Sequence, residues 1–97
     1  MKVGRVPLIA YHRPGDPVVA ALVAGEIAAA LARRAPIRAV MLDRLGPNVW
    51  HDDPAAAMAV LEELEMTARL WRATRPLAAP LTDAQIDELR SAFGARW

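Results

Sequence analysis

Apolar and polar positions alternate with two periods along this chain, and the changes of period mark out its elements. "VGRVPLIAY", Val3 to Tyr11, is β-prone and partly alternating, and Pro7 inside it points to an edge strand or one that starts late. The turn cluster "HRPGDP" follows. Asp16 is placed to cap a helix, with Pro17 suited to its first position. From Pro17 to Arg34 the period becomes helical. Val19, Leu22, Val23, Ile27, Ala30 and Leu31 form one stripe, Arg33 and Arg34 fall in the last turn, and Pro36 ends the helix.

"IRAVML", Ile37 to Leu42, reads as a buried strand, and Asn48 to Trp50 as a second, very short one after the "LGP" turn. Asp53-Pro54 repeats the Asp16-Pro17 device and opens a helix to about Thr74, stopped by Pro76. Ala57, Leu61, Leu64, Ala68 and Trp71 make its packing seam, with Glu65 and Arg69 spaced for an ion pair. After the linker "PLAAP" comes a last helix. Thr82 and Gln85 match a capping box, Leu81 and Ile86 a hydrophobic staple, and Gly94 a C-terminal stop. Ile86, Leu89 and Phe93 are its apolar face. The predicted order is β-α-β-β-α-α in a single α/β domain over residues 1–97.

Composition alters this picture in one respect. The apolar fraction is 55%, high for 97 residues, yet alanine supplies much of it and contributes little burial per residue. A short chain buries a modest share of its surface. The core therefore asks for another surface, either a second copy or a partner chain. The net charge of +1 comes with no basic block, so the electrostatic footprint of nucleic-acid binding is missing. No cysteine is present, which excludes disulfides and thiolate sites. The longest apolar run, Pro17 to Ala32, contains Glu26 and is too alanine-rich to span a membrane. The N-terminal stretch lacks the apolar core of a signal peptide, and the expected location is the cytoplasm.

Candidate chemistry is sparse. His12 sits in a turn cluster and His51 at a strand-helix junction, and a metal site needs three or four converging ligands. Asp52 and Asp53 look like a carboxylate pair, but Asp53 is more simply a helix cap. Glu62, Glu63 and Glu65 lie along a solvated helix flank. "RPGD", Arg13 to Asp16, precedes a helix N-terminus and can offer backbone N–H groups and an arginine to an anion, although Pro-Gly marks turns generally. The ligand-binding candidates are thus Arg13, Gly15, His12 and His51. Trp50 and Trp97 are candidates for an interface.

"VPLIAYHRPGDP", "RAVMLDRLGPNVWHDDPAAAMAVLEELEMTARLW" and "LTDAQIDELRSAFG" together resemble the C-terminal half of the class II aldolase/adducin family. The resemblance is to its sugar-acid branch, which includes 3-oxo-tetronate 4-phosphate decarboxylases and the fuculose-phosphate and ribulose-phosphate enzymes. It implies an α/β sandwich with a mostly antiparallel sheet. Such enzymes hold a divalent metal, usually zinc, through three histidines and move a proton with an acidic residue. Two of those histidines and the acid belong to the N-terminal half. The third comes from an "N-H-G" turn, and the matching triplet here is Arg44-Leu45-Gly46.

Leu45 therefore stands at the family's histidine position, and no catalytic or metal residue carries over. The resemblance implies a truncated sandwich whose partial sheet is completed by a second copy or a partner chain. The function expected is that of a catalytically incomplete association subunit needing no cofactor alone. The alternative is one subunit of a split metal-dependent lyase or decarboxylase for a sugar phosphate or sugar acid. Zinc would then bind only in the completed assembly.

Overall fold

The computed structural model describes residues 3–75, 77 and 79–94. Three strands and three helices follow in the expected order: β1 (Leu8–Ile9), α1 (Pro17–Ala32), β2 (Ala39–Leu42), β3 (Gly46–Val49), α2 (Pro54–Thr74) and α3 (Asp83–Phe93). The strands form one mixed sheet in the order β1-β2-β3. β1 runs parallel to β2, with Leu8 opposite Met41, and β2 pairs antiparallel with β3, with Ala39 opposite Val49 and Leu42 opposite Gly46. The mostly antiparallel sheet that the resemblance implied is thus half parallel among the described residues.

Successive residues of a strand point to opposite faces, and β2 uses both. Val40 is buried with Ile9, Ala30 and Ile37, and α1 closes that side through Val23 and Ile27. Its neighbour Ala39 is buried with Val3 and Val60, where α2 closes the other side through Val60 and Leu64. The result is three layers, α1 over the sheet over α2. A strand covered on both faces reads as an unbroken apolar run, which is what "AVML" is.

Several boundaries move from their sequence positions. β1 spans two residues rather than Val3 to Tyr11 and begins just after Pro7, which has no N–H to give to a ladder. β3 starts at Gly46, ahead of the Asn48 expected, because β2 turns back over only Asp43, Arg44 and Leu45. The Leu45 N–H donates to the Leu42 carbonyl at 3.0 Å across that turn, and Arg44 sits at φ 61°.

α1 stops at Ala32, so Arg33 and Arg34 lie beyond its last turn and not within it. The stop is a Schellman closure. The Arg34 N–H reaches the Leu31 carbonyl at 3.0 Å and the Ala35 N–H reaches the Ala30 carbonyl at 3.1 Å. Arg34 takes the left-handed position at φ 56°, where glycine is usual.

The caps are as read. Asp16 accepts from the Val18 N–H at 3.0 Å and Asp53 from the Ala56 N–H at 2.8 Å. Thr82 and Gln85 exchange both bonds of the capping box, at 3.3 and 2.9 Å, and Gly94 closes α3 at φ 61°.

Burial departs further from expectation. Leu22 and Leu31 of the α1 stripe are exposed, Leu31 at 61%. The working residue of α2 is Val60, which the proposed seam omitted, and Trp71 at the seam's end is 39% exposed. Phe93 of α3 is 77% exposed. Trp50, an interface candidate, instead packs against the core on the α1 side. Glu65 and Arg69 do not form an ion pair. Trp97 and Pro76, also named above, lie outside the described residues.

Candidate functional site

The loop after β1 and the tip of the β2–β3 hairpin are far apart in sequence. Parallel pairing of β1 with β2 brings them side by side, because both leave the same end of the sheet. The Asp43 N–H bonds the Ile9 carbonyl at 2.9 Å, extending the ladder to the edge of the tip. Beyond it, the Arg44 guanidinium stands 5.9 Å from the centre of the Tyr11 ring.

Between these loops and α1 lies an open groove of about 610 Å³. Arg13, Gly15 and Asp16 form one rim, Val19, Val23 and Ile27 of α1 form the floor, and Leu42, Leu45 and Asn48 form the opposite wall. Strand alternation explains that wall. Asn48 pairs with Val40, whose side chain faces α1, and Leu42 stands two residues further along the same face. The "RPGD" loop and Leu45, noted as separate features of the sequence, thus border a single groove. Leu42 and Asn48 were missed, although period-two alternation through Val40 could have found them.

Asp16 does two jobs at the rim. Its Oδ1 accepts from the Val18 N–H, and its Oδ2 lies 3.3 Å from His12 Nδ1, which donates in the tautomer this contact selects. The Val18 bond holds the Asp16 carboxyl below its ordinary value of 3.8, opposed by desolvation and helped by smaller contributions from the bond to and charge of His12. The Arg13 carbonyl accepts from the Asp16 N–H at 3.1 Å, and Gly15 takes φ 82°, so "RPGD" is a closed turn. The α1 N-terminus already has its anion in Asp16.

His51 is elsewhere. Its Nδ1 accepts the Asp52 N–H at 2.8 Å ahead of α2, and it does not line the groove. Neither histidine converges on Leu45, which carries no donor atom and is 47% exposed. Among the described residues, no group of three or more His, Asp or Glu is placed to hold a metal ion. The described donors therefore do not fit the zinc site that the resemblance implies. The described lining of the groove is thus an apolar floor with one carboxylate, one arginine and one amide at its edges.

Residues 1–72 match the family described as class II aldolase and adducin N-terminal domain. The chain belongs to this family. The match takes in all three strands, α1 and most of α2, which are the parts that build the groove. The class II aldolase-like chain is similar to a 3-oxo-tetronate 4-phosphate decarboxylase of Cupriavidus necator, 51% identical over 102 residues that cover 100% of this chain and 44% of that protein. It is likewise similar to the enzymes of the same name in Escherichia coli K12, 40% identical over 93 residues (94% of this chain, 40% of that protein), and Pectobacterium atrosepticum, 43% identical over 70 residues (72% and 29%). The chain thus spans less than half the length of these curated relatives. No solved structure matches it. No helix among the described residues is long and apolar enough to cross a membrane.

Proposed function

We propose that this class II aldolase-like chain is a catalytically incomplete cytoplasmic subunit that works by association. Its α1 face and groove would be covered by a second copy or by a partner chain carrying the part of the relatives that it does not span. The observation carrying this reading is the groove itself, an apolar floor closed on one side by a donorless Leu45 and left open on the other. Val18, Leu22 and Leu31 add exposed apolar surface on α1, a helix apolar around most of its circumference, and such helices are normally enclosed. Sedimentation at micromolar concentration tests it. An oligomer, or a stable complex with a partner supplying the remaining family segment, is the expected result. A monomer that binds no such partner overturns it.

A second reading keeps the chemistry. The identity to decarboxylases runs along the whole chain, which favours a split lyase acting on a sugar phosphate or sugar acid. The partner would supply two histidines and an acid, and the third metal ligand would come from His12 or His51 after rearrangement. Mixed subunits should then bind stoichiometric zinc and release carbon dioxide from 3-oxo-tetronate 4-phosphate. Mixed subunits that do neither would rule this reading out.

A further inference from the structure

A second cleft, of about 720 Å³, opens at the other end of α1, between the segment before β1, the end of α2 and the start of α3. Its volume falls in the range of small-molecule sites. Pro80, Leu81 and Ile86 give it an apolar wall beside Trp71, whose ring is held by the Arg75 guanidinium at 5.4 Å and stays 39% exposed. The charges around it are not evenly matched. Arg5 lies 3.9 Å from Asp83, and Arg90 bonds Asp87 at 2.9 Å, so both lining carboxylates already have a cation.

Arg33 is the exception. No described residue forms an ion pair or side-chain hydrogen bond with it. Nor is its guanidinium needed to cap α1. The carbonyls of Ala29, Ala30 and Leu31 are taken by the backbone N–H groups of Arg33, Ala35 and Arg34. Among the described residues, the cleft therefore combines an aromatic and aliphatic wall with one uncompensated cation.

We propose that this cleft binds an amphipathic monoanion, a small molecule with an apolar body and one carboxylate. The body lies against Trp71, Leu81 and Ile86, and the carboxylate pairs with Arg33. A dianion would meet Asp83 and Asp87 with only one free cation among the described lining residues to answer it, and an uncharged hydrocarbon would leave Arg33 unused. The site shares no lining residue with the groove and stands or falls independently of the association reading.

Decanoate, below its micelle concentration, is the probe, with decanol as the neutral analogue and the tryptophan indole N–H resonances of the full chain as the readout. Saturable shifts of the Trp71 indole are expected, weaker with decanol. Arg33→Gln should lower decanoate affinity about tenfold, as for a lost hydrogen bond to a charged group, and leave decanol unchanged. Trp71→Ala, followed by titration calorimetry because it removes the reporting indole, should abolish binding with its helical circular dichroism retained. Asn48→Ala, in the other groove, should bind like the parent. The proposal is overturned by the absence of saturable Trp71 shifts, by equal affinity for decanol, or by an Arg33→Gln variant that binds decanoate normally.

Discussion

In β2, Ala39 and Val40 are fully buried, one beneath α2 and the other beneath α1, whereas in α3 no residue is buried. Yet α3 has the better local grammar. It carries a complete capping box and a left-handed glycine stop, while β2 has no local signal beyond four apolar residues. The comparison separates two causes of structure. Backbone chemistry between neighbours makes α3 a helix, but it does not attach it firmly. Burial attaches β2, and through it the family-matching layers.

The largest effect should come from the buried side. Ile37→Ala removes a side chain that is 4% exposed and should cost about 2–5 kcal/mol in chemical denaturation. The comparison breaks if Phe93→Ala, on α3, costs as much; it should stay within about 0.5 kcal/mol. Next, Thr82→Ala deletes half of the capping box and should weaken α3 by about 1 kcal/mol. Amide exchange should quicken in α3 and stay unchanged in β2, which would sharpen the distinction between local and global stability.

A smaller gain is expected at the α1 stop. Arg34→Gly relieves a side chain in the left-handed region and should stabilise the chain by about 0.5–1 kcal/mol in denaturant midpoint.

The smallest effect is tied to acid. Asp16 has its folded value depressed below 3.8, so its contribution is complete above that pH and is lost as pH falls through the lower folded value. Denaturation at pH 6 and pH 3 should show this loss. Asp16→Asn, which keeps a capping oxygen, should remove that part of the acid dependence.

The caps at Asp16, Asp53 and Thr82 were legible in the sequence because each depends on residues within three positions. So were the element order and the stripe of Val23, Ile27 and Ala30. Periodicity, however, names a face and not what covers it. Leu31 and Phe93 sit at proper helical spacing and remain largely exposed, and Trp71 only borders an open cleft. Val60 was overlooked for the converse reason, since only the sheet in three dimensions selects it over Leu61. The site was legible in pieces. Arg13, Gly15 and Leu45 were picked out for unrelated reasons, and only the pairing of β1 with β2 puts them around one groove. The same pairing leaves His12 and His51 bound to their own neighbours.

That pairing also sets an order of events. The β2–β3 hairpin closes over a three-residue turn and should form in microseconds, whereas β1 can dock only after the chain of α1 has been gathered between it and β2. The joint is two residues long, so it is among the last parts to close and the first to open. The groove is therefore a late product of folding. A partner that grips both of its rims would act as a clasp on β1, slowing its release without touching the hairpin.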